Sequence, residues 1–128
     1  MSQRFYKTIL IEVKKELPNE GCGFISGSEN VCKTIWPMRN SEPSPYSFAI
    51  DPEEQDQVMD QMLLKKEAFM GIYHSHPYGI PVPSRDDVAF AHHPELYYFI
   101  AAVGGGRDEI RCYKIHNGKV KHIDIVIE

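Results

Sequence analysis

Two histidines spaced one residue apart, His74 and His76, are the side chains of this sequence best suited to hold a metal ion. A predicted strand over residues 68–74 runs directly into them. Side chains at positions i and i+2 of a strand point to the same side, about 6.6 Å apart along the strand. The two imidazoles can therefore converge on one ion. Such a pair is a weak signal by itself, because many histidine pairs are surface or packing residues.

A carboxylate for the same ion could come from the segment that follows. A proline-rich spacer over residues 77–83 leads to Ser84, which is a suitable N-cap for a helix, and Asp87 then falls in the first turn. The stiff spacer could return an acid to the histidines, although Ser-x-x-Asp is also a common capping pattern. Asp86 is a rival to Asp87, and the residues alone leave both open. Two histidines, one carboxylate and an open position are typical of a catalytic zinc.

The open position of such a site would hold water. Zinc can lower the pKa of a bound water to about 7, which yields a nucleophile at neutral pH. This chemistry also needs a proton acceptor. Glu20 is the best candidate, because it follows Pro18, lies among glycines and precedes a predicted buried strand. Taken alone, Glu20 is far better described as an exposed loop glutamate, and its candidacy depends on the other residues of the pattern.

Three helices are predicted around these residues. The first spans residues 3–16, where apolar side chains recur on one helical face. The second begins after the N-cap Asp51, with Pro52 at the first helical position and acids in the first turn. The third covers residues 84–92 and ends before Pro94.

The predicted strands form one mixed sheet. One begins near Phe24, and the others lie over residues 31–36, 47–50, 68–74, 96–103, 109–115 and 120–127. A loop over residues 37–46 is rich in Pro, Ser and Asn, and Asn117-Gly118 is typical of a type I′ hairpin turn. The pattern predicts one α/β domain over residues 1–128, of the α+β type, with helices packed on a mixed sheet.

Composition excludes several classes of function. The chain of 128 residues carries 14 basic and 18 acidic side chains without a basic cluster, so no nucleic-acid partner is expected. Its longest apolar run, residues 96–103, is too short to span a membrane. Cys22, Cys32 and Cys112 form no CxxC pair, which favours reduced thiols and a cytoplasmic location. A redox role for Cys22 is one interpretation, and a small buried side chain is the simpler one.

Together, these residues resemble the JAMM (MPN-plus) metallopeptidase family. That family's pattern is a distant Glu, then His-Ser/Thr-His, seven residues, and Ser-x-x-Asp. Here every spacing matches, with Glu20, His74-Ser75-His76, residues 77–83 and Ser84-Arg85-Asp86-Asp87. The resemblance extends over roughly residues 4–103, including the glycine-rich segment 18–27, Phe48 and Asp51-Pro52.

The resemblance implies a role for each matching residue. His74, His76 and Asp87 would hold one zinc, which favours Asp87 over Asp86. Glu20 would accept a proton from the zinc-bound water and later pass it to the leaving amine. Ser84 would donate a hydrogen bond to the developing oxyanion.

The resemblance also implies a three-layer fold like that of cytidine deaminases, although the deaminase signature itself is absent. The compact chain is similar to stand-alone bacterial members of the family. Those members cleave after the diglycine tail of ubiquitin-like sulfur-carrier proteins and release an amino acid such as cysteine. Two alternatives remain: a zinc peptidase for small peptides without a carrier partner, and a non-catalytic MPN-type binding module.

Overall fold

A computed structural model describes the whole chain, residues 1–128, and contains three helices and six strands. They follow in the order α1 (Gln3–Lys14), β1 (Cys22–Ser28), β2 (Val31–Met38), α2 (Pro52–Leu64), β3 (Ala68–His76), α3 (Arg85–Ala89), β4 (Tyr97–Ala102), β5 (Glu109–His116) and β6 (Lys119–Ile123). None of the helices combines the length and apolar composition that crossing a bilayer requires.

All six strands form one sheet in the order β2-β1-β3-β4-β5-β6. The β3–β4 pair is parallel, and the other four neighbouring pairs are antiparallel. The prediction of a mixed sheet is therefore confirmed. β1 lies between β2 and β3, and its first residue, Cys22, stands opposite His74. This register brings the segment before β1 next to the histidine strand.

Helices cover both faces of the sheet, which confirms the predicted three-layer arrangement. On one face, Ile9 and Val13 of α1 are fully buried against Ile25 and Tyr73. On the other face, Met62 of α2 packs in a cluster of buried apolar side chains with Cys22, Phe24 and Met38. Successive residues of a strand, such as Phe24 and Ile25 of β1, thus pack against helices on opposite faces of the sheet, as the two-residue period of a strand requires.

Side chains cap the first two helices as their sequences predict. Ser2 accepts a hydrogen bond from the Phe5 N–H at 3.0 Å, and Asp51 accepts one from the Glu53 N–H at 2.8 Å. The hairpin prediction is also confirmed, because Asn117 and Gly118 both have positive φ angles, 50° and 76°. A type I′ turn requires such angles at both central residues.

The prediction of a strand over residues 47–50 is wrong. Residues 39–51 form a loop without regular strand structure. β1 is already paired on both sides, so this segment has no free partner strand there. Its backbone bonds within the loop instead: the Ala49 carbonyl accepts from the Ser41 N–H at 2.8 Å. β2 extends through Pro37 to Met38, which an edge strand tolerates because the missing N–H is not needed by a neighbour.

Four predicted elements, α1, α3, β4 and β6, are shorter in the structure, and α3 and β6 differ most at their ends. α3 ends at Ala89 and not at residue 92, because the backbone of His93 bonds to the Tyr98 hydroxyl as the chain turns into β4. β6 ends at Ile123 and not at residue 127. Neither difference moves a residue of the predicted site.

Gly23 of β1 provides a sharp test of this packing. A Cβ atom at Gly23 would overlap the ring of its register partner Tyr73, which is 1% exposed and cannot move into solvent. We expect Gly23→Ala to lower the free energy of unfolding by about 1–3 kcal/mol, because overpacking forces side chains and backbone apart. Urea denaturation followed by circular dichroism measures this change.

Gly105→Ala is the matched control. No heavy atom lies within 4 Å of a Cβ built on Gly105. This substitution should change the free energy of unfolding by less than about 0.5 kcal/mol. Equal destabilisation by the two substitutions would contradict the close contact between Gly23 and Tyr73.

Candidate metal centre

His74, His76 and Asp87 bring three potential donor atoms together at the end of β3. The two Nε2 atoms lie 3.2 Å apart, and Asp87 Oδ2 is 3.2 Å from that of His74 and 3.0 Å from that of His76. We call these three residues the His–His–Asp cluster. His74 is 4% exposed, and the other two are partly buried. The histidines therefore converge as the strand pattern predicts, and Asp87 joins them.

The spacing within the His–His–Asp cluster fits a tetrahedral zinc. Donor atoms about 2.0–2.1 Å from such an ion lie roughly 3.3–3.4 Å from one another. Two imidazole nitrogens and one carboxylate oxygen are also ligand types that zinc prefers, and three protein ligands leave the fourth position open. The cluster is the one group of at least three His, Cys, Asp or Glu side chains in the chain that could share a metal ion.

A hydrogen bond behind His76 sets its tautomer for metal binding. His76 Nδ1 lies 2.9 Å from the Ile80 carbonyl oxygen, which can only accept, so Nδ1 carries the proton. In the neutral ring Nε2 is then free to coordinate. Burial lowers the pKa of His76, but its hydrogen bonds to Asp87 and Ile80 outweigh burial and raise the pKa above its ordinary value. A metal at this position would therefore compete with a proton.

Asp87 is held by the start of α3. Its Oδ2 accepts the Ser84 N–H at 2.9 Å, and the Ser84 Oγ accepts the Asp87 N–H at 3.0 Å, which is a reciprocal capping box. Burial raises the pKa of Asp87, but hydrogen bonds from His74 and His76 outweigh burial and hold the pKa well below its usual range. Asp86 is exposed and is not part of the His–His–Asp cluster. Asp87 therefore both completes the capping box of α3 and supplies the carboxylate of the His–His–Asp cluster.

Glu20 is buried beside the cluster and not exposed on a loop. Its side chain is 4% exposed, and together with His76 and Ser84 it lines a cavity of about 190 Å³. The Oε1 atom has no hydrogen-bond partner in the protein. Burial raises the pKa of Glu20 to about 7, an effect that the nearby Asp87 reinforces and His76 opposes. A buried carboxylate with a free oxygen and a pKa near neutrality is suited to proton transfer.

Ser75, the residue between the histidines, fastens the Glu20 segment to β3. Its side chain turns away from the imidazoles, as the alternation of a strand predicts. Its Oγ accepts the Gly21 N–H at 2.8 Å, and its own N–H donates to the Gly21 carbonyl at 3.0 Å. Ser75 is fully buried, so these bonds are shielded from water. Two residues 54 positions apart thereby fix where Glu20 stands relative to the histidines.

Phe48 also contributes to the site, because its ring packs against the ring of His74. The two rings are stacked, with centroids 4.8 Å apart and an angle of 26° between their planes. The sequence associates Phe48 with the start of α2 and does not indicate this contact. An aromatic residue in an irregular loop carries no periodic signal that would indicate its partner.

A second cavity, of about 510 Å³, opens at the other side of the cluster. It reaches His74 and Asp87, and most of its lining is apolar, including Phe48, Ile72 and Ile100. The large cavity and the small one that contains Glu20 share one wall residue, Tyr46. The His–His–Asp cluster therefore lies between two spaces that could hold the two sides of a substrate.

The spacer over residues 77–83 is anchored to β5 of the sheet by a hydrogen bond. The Tyr113 hydroxyl of β5 donates to the Pro81 carbonyl at 2.5 Å, and Pro81 is buried. Cys22 stands opposite His74 in the sheet, but it is 3% exposed, and burial raises the pKa of its thiol to about 12. A thiol that stays protonated is a poor nucleophile, so packing is the better description of Cys22.

Most of the chain is similar in sequence to several named proteins. It is 33% identical over 115 residues to a CysO-cysteine peptidase of Mycobacterium tuberculosis, covering 88% of this chain and 79% of that protein. It is 28% identical over 124 residues to a desampylase of Pyrococcus furiosus, covering 96% and 86%. It is 29% identical over 106 residues to a probable TtuB-protein conjugate cleaving protease of Thermus thermophilus, covering 82% and 68%.

Solved structures share the fold. Protein DSY2949 from Desulfitobacterium hafniense superposes with a TM-score of 0.89 at 26% identity, covering 99% of this chain and 90% of that one. AF2198, a JAB1/MPN domain protein from Archaeoglobus fulgidus, gives a TM-score of 0.64 at 21% identity, covering 94% and 91%. The predicted MPN-type fold is therefore confirmed.

A family model for prokaryotic homologs of the JAB domain matches residues 2–116, which is most of the chain. The relatives agree with that match. The JAMM-type family predicted from the sequence, and with it the class of hydrolase, are thereby confirmed. This protein belongs to the family of prokaryotic homologs of the JAB domain.

Proposed function

We propose that this protein is a zinc-dependent peptidase that cleaves the bond after the C-terminal diglycine of a ubiquitin-like sulfur-carrier protein. One observation carries the proposal: three donor atoms within 3.2 Å of one another stand beside a buried glutamate whose Oε1 atom has no partner. A structural metal site would not need the free carboxylate, whereas hydrolysis does.

His74, His76 and Asp87 hold one zinc per chain in this proposal. When bound, zinc supplies a Lewis acid that polarises the scissile carbonyl and makes water a nucleophile at neutral pH. The protein keeps these side chains in place before the metal arrives. Ile80 fixes the His76 ring, Phe48 stacks on His74, and the capping box of α3 fixes Asp87.

Glu20 moves the proton. Its carboxylate takes a proton from the attacking water as the new C–O bond forms, and it delivers that proton to the amine nitrogen as the C–N bond breaks. A pKa near 7 suits both halves of this cycle, because the group must accept and release a proton at the same pH. No hydrogen bond within the protein ties up the Glu20 carboxylate, so this group is available for the transfer.

Ser84 stabilises the oxyanion. Its Oγ accepts a hydrogen bond from the Asp87 N–H, which leaves the hydroxyl proton free to donate toward the small cavity. Loss of one such donor typically lowers kcat by about 10²–10³-fold. The same residue therefore caps α3 and faces the reacting carbonyl.

The relatives support a carrier protein as substrate. One is named for cysteine attached to CysO, and another for TtuB-protein conjugates. The apolar cavity next to His74 and Asp87 offers room for an extended chain end. α2 ends at Leu64 and β3 begins at Ala68, so no long insertion narrows the approach from that side. A carrier tail that ends in two glycines would need little space beside the metal.

Zinc content tests the ligand assignment. Purified wild-type protein should contain about one zinc per chain, and His76→Ala should lose most of it, because two ligands hold zinc far less tightly than three. Inductively coupled plasma mass spectrometry of the dialysed proteins measures the ratio. His92→Ala, which removes an exposed histidine outside the cluster, should retain full stoichiometry. Stoichiometric zinc in His76→Ala would refute the assignment.

Cleavage of a defined conjugate tests the function. The zinc-loaded protein is incubated with a ubiquitin-like sulfur carrier whose terminal Gly-Gly is joined by an amide bond to cysteine, and intact masses are recorded. We expect release of cysteine and a carrier that ends in Gly-Gly. A chelator should abolish product formation, and Glu20→Gln should remove most of it and leave a small residual rate, because each removes one part of the reaction.

Other products would point to other functions. Cleavage of short peptides with no cleavage of the carrier conjugate would indicate a peptidase without a carrier partner. Binding of the conjugate without hydrolysis of any substrate would indicate a non-catalytic module. Either result would contradict the proposed substrate.

The buried Glu20 should also make stability depend on pH. Its pKa rises from 4.5 to about 7 on folding, so the folded state binds more protons than the unfolded chain between these values. The free energy of unfolding therefore falls as pH rises through this window. In metal-free protein at pH 8, we expect Glu20→Gln to be more stable than wild type by about 2–3 kcal/mol. The difference should disappear below about pH 4.5, where both side chains are neutral.

Urea denaturation of chelator-treated protein at pH 8 and pH 4.5 measures this effect. Glu16→Gln is the matched control, because Glu16 is exposed. It should change the free energy of unfolding by less than about 0.5 kcal/mol at either pH. Equal stability of wild type and Glu20→Gln at pH 8 would show that burial of Glu20 is not costly.

A further inference from the structure

Asn40 is a buried polar residue that the proposed reaction does not use. It lies two residues after the end of β2 and is 6% exposed. Its Nδ2 donates to the carbonyl oxygens of Glu20 and Ser47, each at 3.1 Å. Its Oδ1 accepts the N–H groups of Glu42 and Ala49, also at 3.1 Å. Both donors and both acceptor positions of this amide are therefore used.

The loop that Asn40 organises holds Glu20 by its backbone. The Glu20 N–H donates to the Ser44 carbonyl at 2.8 Å, and the Glu20 carbonyl accepts from Asn40. The Glu20 Oε1, by contrast, has no protein partner. The position of this carboxylate oxygen therefore depends on how firmly the backbone of Glu20 is held.

We infer that Asn40 is a positioning residue, which sets the placement of the Glu20 carboxylate through the backbone of Glu20. The inference rests on the proposed function, because it concerns the group that transfers the proton. The same amide also holds Ser47 and Ala49, the two neighbours of Phe48, whose ring stacks on His74. One side chain thus ties the proton-transfer group and one wall of the metal centre to a common loop.

Substitution of Asn40 by aspartate separates the bonds that Nδ2 donates from the bonds that Oδ1 accepts. Asn40→Asp keeps an oxygen for the N–H groups of Glu42 and Ala49, so the loop retains these two internal bonds and loses the one to the Ser47 carbonyl. It loses both N–H donors and places a carboxylate oxygen against the Glu20 carbonyl, which also can only accept. The Glu20 backbone should move away, while His74, His76 and Asp87 keep their own anchors.

The first measurement compares kinetics and zinc content. We expect Asn40→Asp to lower kcat on the carrier–cysteine conjugate by about 10–100-fold, because a displacement of about 1 Å can cost that much. KM should change by less than about threefold and zinc should stay at wild-type stoichiometry, because neither substrate contacts nor ligands are removed. If the Asp variant does not fold, Asn40→Ser, which is neutral and shorter, should show the same loss in kcat.

Ser41→Ala is the matched control from the same loop. It removes the hydrogen bond from Ser41 Oγ to the Ala49 carbonyl at 3.1 Å but leaves every bond to Glu20 intact. It should retain kcat within about twofold. An equal loss of kcat in Ser41→Ala and Asn40→Asp would mean that loop order in general matters, and it would overturn the specific role of Asn40.

Amide hydrogen exchange in the zinc-free protein gives a readout that is independent of activity. The Glu20 N–H, which is bonded to Ser44, should exchange at least about tenfold faster in Asn40→Asp than in wild type or Ser41→Ala. Unchanged protection of Glu20 in Asn40→Asp would overturn the inference.

A double-mutant cycle then tests whether Asn40 acts through Glu20. If it does, Asn40→Asp should lower the residual kcat of Glu20→Gln by no more than about twofold, because the group being positioned is already lost. A full additional loss would overturn the inference. Wild-type activity in Glu20→Gln would refute the proton-transfer role itself. An inactive Glu20→Gln beside a fully active Asn40→Asp would refute this inference alone.

Discussion

The antiparallel pairing of β1 with β3 is the constraint on which the site depends. It places Cys22 opposite His74, and the bonds between Gly21 and Ser75 extend the pairing toward Glu20. A shift of this register by one residue would turn every side chain of one strand to the opposite face of the sheet. The pairing therefore determines which face of the sheet His74 and His76 occupy, and it places Glu20 beside them.

The other half of the site depends on a helix that is too short to be stable alone. α3 has five residues, and isolated helices of that length do not persist in water. Its first turn is held by the reciprocal bonds between Ser84 and Asp87, and its approach is held by Tyr113, which anchors Pro81. The same bonds that form the helix direct the Asp87 carboxylate, so local structure and site geometry are inseparable here.

The proposed function and the stability of the fold make opposite demands on Glu20. A carboxylate with a buried, unpartnered oxygen and a raised pKa is unfavourable for folding. The surrounding structure compensates with well-satisfied polar groups, of which Asn40 with its four hydrogen bonds is the clearest. The loop over residues 39–51 is irregular because its backbone groups bond to the side chains of Asn40 and Ser41 and to one another. Loops of this kind often carry functional residues on a rigid scaffold.

Local sequence patterns predicted the mixed sheet, the helix starts at Ser2 and Asp51, and the spacing of the His-x-His and Ser-x-x-Asp segments. These features depend on residues close in the chain, whose periodicity and capping chemistry can be read directly. Local patterns alone left open whether Glu20 is buried, whether Asp86 or Asp87 reaches the histidines, and what Asn40 contacts; the fold buries Glu20, brings Asp87 to the histidines and joins Asn40 to Glu20. Those outcomes depend on contacts between distant segments, and a side chain that bonds to a remote backbone group leaves no pattern in the neighbouring sequence.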